Sequence, residues 1–411
     1  MHARWPVRVA HDLHGLVAGT WKSALLVGCY GLAALLSIAP ARNKRARVLA
    51  VARHANARRQ VARVASWIGT DDCGSVRTGL KTLVRLAGIG GLALLFAPRA
   101  LGRSLRLVRA CDRRYGFLES CRALEAVAWY ARSLTMLAAR RPGAVLVSGD
   151  SNPEEVGFIA AARVSGIPQV FVAHAYPTPF SPPLNFTLSI LEGEQAAVER
   201  RRKGPITGAV LLAGMEGESV RLDARRVERP TPVIGIFPPK ALSWKTLAAI
   251  VDDCRAHFHA RRIVIRWHPS MLESPRLAHR LADRTSVSEY PGSAPFHEIA
   301  QQCDWVIAAE NSNVHLPLLK LGIPTVAVTG LGLYPRSRSD LYGFIEHGIV
   351  FPPVDSIRDV RADEFAAFFS DCWVTRFKQY DASYLLPPGA IENDVRRAIH
   401  QLLSGAPAET T

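Results

Sequence analysis

Two short apolar runs with polar endings constrain the fold of this chain more than any other feature of its sequence. Residues 263–267 (IVIRW) lead into His268 and Pro269, and residues 305–309 (WVIAA) lead into Glu310. A continuous apolar run of this length, bounded by turn-forming residues, is typical of a strand that is buried on both faces of a parallel sheet. Ligands of such sheets bind at the carboxyl ends of the strands, which is where these polar residues fall.

The residues that follow the second run indicate how the ligand is held. Asn311, Ser312 and Asn313 precede residues 314–321, which have the pattern of a short helix ended by Gly322. Free backbone N–H groups and the helix dipole attract a phosphate at a helix start, and Ser or Asn can also form an ordinary cap there. We therefore predict a nucleotide site. Its expected binding residues are Lys240, His268, Pro269, Glu310, Asn311, Ser312 and Asn313.

Several of these residues have a separate expected task. His268 beside a phosphate can supply a proton or a charge-assisted hydrogen bond, and Pro269 fixes the turn that aims it. Lys240 adds positive charge for the departing phosphate. Glu310 can accept hydrogen bonds from ribose hydroxyls, as an acidic residue after a strand does in dinucleotide folds. His315 and His347 are expected to be structural.

Helices and strands alternate along most of the 411 residues, a length that suits two domains. Residues 164–174 and 320–330 echo each other, because both place Gly-Ile-Pro between a helix and a strand. We predict an α/β protein with two Rossmann-like domains that face a cleft, joined near residues 221–232. The predicted division is an N-terminal segment at 1–43, an acceptor domain at 44–225 with an apolar insertion at 79–107, a nucleotide-donor domain at 226–375, and C-terminal helices at 376–411 that pack back towards the N-terminal domain.

The charge distribution favours a membrane surface as the anionic partner. The net charge is +16 and the isoelectric point is near 10.0. Basic residues are densest in the first 115 residues, where they flank the apolar segments 23–39 and 86–98. A spanning helix needs about 20 apolar residues, so the first segment is marginal and the second is too short. We expect monotopic association with the cytoplasmic leaflet, with one true span or buried core helices as the alternatives.

Other partner classes have weaker support in the sequence. The basic residues have no interleaved aromatic platform for stacking bases, so nucleic acid is not expected as a partner. The seven cysteines have no metal-ligand spacing and suit free thiols in a reducing cytosol. No paired aspartates follow a strand within the predicted domains. We therefore expect neither a metal nor a cofactor, with the nucleotide-activated donor acting as a substrate.

These residues resemble the GT-B glycosyltransferase architecture over roughly residues 47 to 400. Residues 266–269 (RWHP) and 310–314 (ENSNV) resemble the paired signatures of bacterial sialyltransferases and polysialyltransferases. CDP-glycerol glycerophosphotransferases carry a similar pair, and their first half has a histidine in a setting that residues 174–179 (HAYPTP) resemble. Asn313 stands where the pair usually has a second serine, and residues 149–152 (GDSN) only approximate the acidic signature of sialyltransferases.

The resemblance implies a membrane-associated bacterial glycosyltransferase at the cytoplasmic face of the inner membrane. It would move a sugar from a CMP-, CDP- or UDP-linked donor onto a growing surface polysaccharide or glycolipid, without a metal and with inversion. A CDP-glycerol-type glycerophosphotransferase is the alternative within enzymes. From another class, the alternative is a non-catalytic membrane or nucleic-acid-binding α/β module.

Three residues compete for the role of general base towards the acceptor. His174 ends the strand at 169–173, and an unperturbed histidine titrates near the working pH. Asp150 ends the neighbouring strand, although a carboxylate there also suits the start of the next helix. Glu154 is the third candidate. We rank His174 first and Asp150 second as catalytic residues.

Overall fold

A computed structural model of the chain describes most of its second half and separate parts of its first half. The described residues are 46–52, 55–69, 72–75, 126, 129–130, 133–134, 136–149, 152–177, 181–215, 217–270, 286–333, 340–387 and 389–404. The predicted segments 1–43 and 79–107 lie outside them, as does Asp150. None of the helices among the described residues is both long and apolar enough to cross a bilayer.

The secondary structure alternates as the sequence predicts. The strands are β1 (Val48–Val51), β2 (Cys73–Ser75), β3 (Ala144–Val147), β4 (Gln169–Val172), β5 (Asn185–Leu191), β6 (Thr207–Leu212), β7 (Val233–Phe237), β8 (Arg262–Arg266), β9 (Val287–Tyr290), β10 (Trp305–Ala309), β11 (Thr325–Val328) and β12 (Phe351–Val354). The α-helices are α1 (Ala55–Ile68), α2 (Pro153–Val164), α3 (Glu194–Lys203), α4 (Trp244–Ala256), α5 (Phe296–Ala300), α6 (His315–Lys320), α7 (Ala362–Phe368), α8 (Asp371–Tyr380) and α9 (Glu392–Ser404).

The chain divides into two compact units. Among the described residues, the first comprises those between 46 and 192, 196–213 and 389–404, and the second comprises 193–195 and those between 214 and 387. In the part of the chain that the structure describes, each unit contains one six-stranded sheet in which the paired strands are parallel. Parallel neighbours need a crossover connection, which the helices between the strands supply.

The first sheet has the strand order β2-β1-β3-β4-β5-β6. Strands β1, β3 and β4 are buried along their whole length, which is why they appear in the sequence as short apolar runs. Helix α9 covers one face of this sheet, because its Val395 and Ile399 are buried in one cluster with residues of β1 and α1. Arg396 also donates a hydrogen bond from Nε to the carbonyl of Trp67 at the end of α1, at 2.6 Å.

The second sheet has the order β12-β11-β10-β7-β8-β9. Counted from β7 as the first strand, this is the order 6-5-4-1-2-3 of the dinucleotide-binding fold. The chain reverses direction across the sheet between β7 and β10, and ligands of such sheets bind at the carboxyl ends of the two strands at this switch point. Both strands are fully buried, with every residue of VIGIF and WVIAA inaccessible to solvent or nearly so.

The internal echo corresponds to one local structure that occurs twice. Gly166 has a φ of +67° and Gly322 a φ of +73°, so both adopt the left-handed conformation expected after a helix. The amide of Ile167 bonds back to the carbonyl of Ala162 at 2.9 Å, and the amide of Ile323 bonds to that of Leu318 at 3.0 Å. These six-residue closures are Schellman caps, and they stop α2 and α6 before β4 and β11 begin.

The chain enters the second unit at Gly214, before the segment 221–232 that the sequence marks as a linker. The segment belongs to the second unit because its start is hydrogen-bonded there. The amide of Val220 donates to the carbonyl of Lys320 at 2.7 Å, and the amide of Leu222 donates to the Tyr384 hydroxyl at 3.2 Å. The chain returns to the first unit at residue 389, after α8.

Candidate functional site

Three adjacent strands of the second sheet end on the residues that the sequence singles out. Strands β10, β7 and β8 are neighbours in that order. Lys240 lies three residues beyond β7, His268 two residues beyond β8, and Glu310 directly after β10. These residues are exposed or half-buried, while the strands that precede them are buried. Parallel strands end at one edge of the sheet, so the three loops belong to the same edge, at the switch point.

The loops that follow β7 and β11 meet across the end of β10. Leu242 and Gly332 form an antiparallel bridge. The amide of Ser243 donates to the carbonyl of Leu331 at 2.9 Å, and the amide of Leu333 donates to that of Ala241 at 3.0 Å. Because β10 lies between β11 and β7, this bridge fixes the loop that carries Lys240 beside the residues that follow β10.

His268 has a defined tautomer and orientation. The backbone N–H of Ser270 donates to Nδ1 of His268 at 3.2 Å, and the Ser270 hydroxyl lies 2.8 Å from the same nitrogen. A backbone amide can only donate, so Nδ1 carries the lone pair and the proton of the neutral ring is on Nε2. The turn at Pro269 that the sequence predicts therefore presents an N–H donor from the outer edge of the ring.

The strand end beneath His268 is held by a close backbone contact. A Cβ atom on Gly292 would lie 2.1 Å from the carbonyl oxygen of His268, so only glycine allows the loop after β9 to pass here. Arg266 donates from Nη2 to the carbonyls of Gly292 at 3.1 Å and Ala294 at 3.0 Å, and its guanidinium lies 5.4 Å from the ring of Phe296. Arg266 is thus occupied with the protein, and it positions His268 rather than reaching a ligand.

The electrostatics of this edge favour a neutral His268. Burial lowers the pKa of His268 from its ordinary value, and the positive charges of Lys240 and Arg266 lower it further. The ring is therefore neutral near pH 7 in the absence of a ligand. An anion next to Lys240 and His268 would offset this repulsion, so the site is suited to a negatively charged group.

The residues after β10 differ in one respect from the sequence prediction. Helix α6 begins at His315, its N-cap is Val314, and no side chain caps it. The predicted helix start at residue 314 is therefore one residue too early, and Val314 rather than Asn313 is the N-cap. The cause is local: Asn311 and Asn313 lie in turns, and the amide of Ser312, between them, bonds back to the carbonyl of Ala309 at 2.9 Å.

Asn311 instead offers a polar group that the described residues leave unused. The backbone amide of Leu341 donates to Oδ1 of Asn311 at 3.4 Å, which fixes the amide orientation. Its Nδ2 is then buried and has no hydrogen-bond partner among the described residues. A buried donor without an acceptor is costly, so this amide is suited to donate to an oxygen of a bound ligand.

His315 is a structural residue, as expected from the sequence. Its side chain is fully buried, and Nε2 donates to the carbonyl of Ala309 at 3.0 Å. The ring also lies edge-on to Phe344 at 5.9 Å. Burial lowers the pKa of His315 to about 4, although the hydrogen bond to Ala309 partly opposes this shift. A neutral His315 thus closes the loop between β10 and α6.

In the first unit, a buried glutamate supports the turn after β3. The Asn152 side chain donates from Nδ2 to Oε2 of Glu155 at 2.6 Å, and a Cβ atom on Gly149 would lie 2.0 Å from the same carboxylate oxygen. Glu154 and Glu155 are both buried at the start of α2. Glu155 is not among the residues that the sequence singles out, although the run Pro-Glu-Glu after a strand signals a helix start.

Of the two ranked candidate bases, the structure describes His174 but not Asp150. His174 is half-buried and follows β4 by two residues, before the buried Tyr176. The neighbouring strand, β3, is followed by Ser148, whose hydroxyl donates to the carbonyl of Val172 at 2.7 Å. Asp150 lies outside the described residues, and Glu154 is almost wholly buried. The catalytic roles of His174 and Asp150 remain predictions.

Two Rossmann-like α/β units, each with a parallel sheet, are the components of the GT-B class of fold. Solved structures with this fold match the chain over most of its length. The calicheamicin glycosyltransferase CalG4 is 12% identical, with a TM-score of 0.51 over 88% of this chain and 99% of that one. A UDP-GlcNAc 2-epimerase from Neisseria meningitidis, solved with UDP-GlcNAc, is 12% identical, with a TM-score of 0.50 over 87% of this chain and 99% of that one. No protein-family model and no curated protein sequence matches the chain.

Proposed function

We propose that the protein is a glycosyltransferase that uses a nucleotide-activated sugar, linked to CMP, CDP or UDP. The observation that supports this most is the set of hydrogen-bond donors at the switch point of the second sheet. Lys240 supplies a charge, His268 an oriented Nε2–H, and Asn311 an unused Nδ2 amide. Donors of this kind bind phosphate oxygens and stabilise the negative charge that develops when a nucleotide departs.

The proposed reaction transfers the sugar with inversion and without a metal. A base takes the proton of an acceptor hydroxyl, and the hydroxyl oxygen attacks the anomeric carbon of the donor. The bond from that carbon to the phosphate oxygen breaks, and the electron pair leaves with the nucleotide. Lys240, His268 and Asn311 offset the resulting charge. We assign the base to the first unit, with His174 as the first candidate and Asp150 as the second.

The proposed acceptor is a growing surface polysaccharide or a glycolipid at the cytoplasmic face of the inner membrane. Two sequence features support it: the basic, apolar character of the first 115 residues and the resemblance of residues 266–269 and 310–314 to bacterial polymer enzymes. A glycerophosphotransferase would use the same phosphate-binding residues, because its CDP-glycerol donor also leaves as a nucleotide.

A panel of nucleotides and donors tests the proposal. A ligand at a hundred times its dissociation constant stabilises the native state by about 2.7 kcal/mol, which a thermal shift detects. We expect CMP, CDP or UDP to raise the melting temperature of the wild-type protein, and His268→Ala to lose most of that rise while remaining folded. His297→Ala replaces an exposed histidine on α5 and serves as the matched control.

Product analysis then separates the candidate reactions. Incorporation of labelled sugar into membrane polymer supports glycosyl transfer. Consumption of CDP-glycerol alone would assign a glycerophosphotransferase. Inversion at C2 of UDP-GlcNAc without an acceptor would assign an epimerase, which the same fold accommodates. A protein that binds no nucleotide, or that binds it equally well as His268→Ala, would contradict the proposed site.

A further inference from the structure

A cavity with polar walls lies at the edge of the second sheet where its strands begin, away from Lys240 and His268. Its volume is about 500 Å³, and its lining includes the starts of three strands: Val233 of β7, Arg262 of β8 and Val287 of β9. The proposed nucleotide site lies at the opposite ends of β7 and β8, together with the end of β10. The two sites are therefore separated by the length of the sheet, and a donor nucleotide held at one edge does not occupy the other.

The arginines at this cavity have no carboxylate partner among the described residues. Arg261 and Arg262 line it, and Arg255 on α4 lies behind it, bonded to a lining serine. The neighbouring carboxylates are committed elsewhere: Asp304 forms an ion pair with Arg229, and Asp253 forms one with Arg358 at 2.7 Å. The two lining guanidinium groups, those of Arg261 and Arg262, thus leave an uncompensated positive charge at one concave surface.

The hydroxyl oxygens of the lining serines already accept hydrogen bonds from arginines, so these serines can still donate to a ligand. Arg262 donates from Nε to the Ser288 hydroxyl oxygen at 2.9 Å and from Nη2 to the Tyr290 hydroxyl at 2.7 Å. Arg255 donates from Nε to the Ser286 hydroxyl oxygen at 3.0 Å. Since both serine oxygens accept from a guanidinium, their own O–H groups are left to donate.

One further donor is left without an acceptor. Nη2 of Arg255 is buried and has no hydrogen-bond partner among the described residues. A buried guanidinium nitrogen without an acceptor is costly, so Arg255 adds an unbalanced positive charge directly behind the lining Ser286. Two hydroxyls also hold the side chain of Arg262 in place before a ligand binds. Binding therefore costs less side-chain conformational entropy than it would for a free arginine.

We propose that this cavity binds the phosphate group of an anionic ligand other than the donor nucleotide. Guanidinium groups flanked by hydroxyl donors match the several oxygens of a phosphate, and the cavity is large enough for a phosphate with an attached organic group. Two sources share this chemistry: a soluble phosphorylated compound and the headgroup of an anionic lipid. The inference holds whether or not the protein transfers a sugar.

The test measures binding of inorganic pyrophosphate to the full-length protein by calorimetry. All proteins carry His268→Ala, which weakens the nucleotide site so that it contributes little. We expect Arg261→Gln with Arg262→Gln to weaken pyrophosphate binding at least ~10-fold, and Arg261→Gln alone to weaken it at least ~3-fold. Arg361→Gln is the control, because it removes one exposed charge from the same unit away from the cavity.

Flotation with vesicles distinguishes the two sources. A lipid headgroup is assigned if the double variant loses binding to phosphatidylglycerol vesicles. In that case no protein should bind phosphatidylcholine vesicles. Loss of pyrophosphate binding with unchanged vesicle binding assigns a soluble ligand. The proposal is overturned if the parent protein binds neither probe, or if the double variant and Arg361→Gln behave alike in both assays. When His268 is left intact, the double variant should still bind nucleotide. A failure of this proposal can therefore be distinguished from a failure of the proposed function.

Discussion

At the scale of single residues, the histidines of this protein separate into groups with different environments. His268 is half-buried, presents Nε2–H at a strand end and is repelled by two cations. His315 is fully buried, and its ring is bonded to the backbone carbonyl at the end of β10. His174 is half-buried after β4 in the first unit. Burial and hydrogen bonding, rather than residue type, therefore indicate which histidine can meet a ligand.

His315 predicts an acid-sensitive contribution to stability. Its pKa is about 4 in the folded protein against an ordinary value of 6.5. The unfolded chain therefore binds this proton first as the pH falls, and the free energy of unfolding decreases from about pH 6.5 down to about pH 4. Between pH 7 and pH 5 we expect a loss of about 2 kcal/mol from this group.

Denaturant unfolding of the wild type and of His315→Gln at both pH values measures that contribution. The variant should be less stable at pH 7, because it loses a packed ring, but should lose less stability on acidification than the wild type does. His297→Gln, at an exposed position, should follow the wild type. If the free energy of unfolding depends on pH equally in all three proteins, the pKa of His315 is not lowered in the folded state.

His174 and Asp150 give the prediction that bears most directly on catalysis. If His174 is the base, His174→Ala should leave nucleotide affinity nearly intact, because the nucleotide residues belong to the second unit. The turnover number should fall about 100-fold to 10,000-fold. Asp150→Ala should cost less, or should act through the Michaelis constant of the acceptor. The reverse ranking in steady-state kinetics would transfer the role of base to Asp150.

At the scale of secondary-structure elements, the contact between β8 and the loop after β9 has a measurable consequence. Gly292→Ala would place a methyl group against the carbonyl of His268 and force the two segments apart. We expect a loss of about 1–3 kcal/mol in stability and a weaker nucleotide affinity, because Arg266 loses its carbonyl partners.

Gly166→Ala provides the comparison for that experiment. Gly166 has a φ of +67°, and no atom lies within 4 Å of the position that an added methyl group would take, so alanine brings backbone strain without a steric collision. It lies in the first unit, so it should cost stability while leaving nucleotide affinity unchanged. If both variants bind nucleotide like the wild type, the loop after β9 does not support the site.

The sequence predicts the interior strands of both sheets and misses the edges. Among the described residues, the eight interior strands consist mainly of buried apolar residues, because neighbours and helices cover them on both faces; β5 differs in its exposed start at Asn185 and Thr187. Four strands among the described residues are not predicted from the sequence, and all of them are edges: β2, β6, β9 and β12. Strand β9 (VSEY) is only partly buried, and β12 (FPPV) contains two prolines, which edge strands tolerate.

The same distinction applies to the site. Lys240, His268 and Glu310 can be found from the sequence because a strand end is a local feature. The close approach of Gly292 and the bridge between Leu242 and Gly332 join residues distant in the chain, and no local pattern reveals them. The start of α6 is predicted too early because turns and helix caps share the same residue types.

At the scale of the whole molecule, membrane association is the property that the first residues are expected to supply. Deletion of residues 1–41 removes the charge-free segment 23–39 but leaves β1, which begins at Val48 and pairs with β2 and β3. We expect the shortened protein to fold and to leave the membrane fraction. Fractionation and circular dichroism measure both properties.

Two other outcomes of that deletion have definite meanings. Full retention in the membrane fraction would move the anchor to residues 79–107. Loss of the folded state would show that the first segment is part of a core. Matched deletion of residues 405–411, which follow α9, tests whether shortening the chain is itself harmful.

The position of α9 in the first unit has a consequence for biosynthesis. The core around β1 and α1 includes Val395 and Ile399, which the ribosome adds only after residues 214–388 of the second unit. At roughly 5–20 residues per second, the first unit stays without its last helix for on the order of ten seconds or more. The second unit can fold in that interval, whereas the first becomes complete only after α9 has been synthesised. A chain released early would expose this apolar surface, which gives chaperones and proteases a way to recognise it.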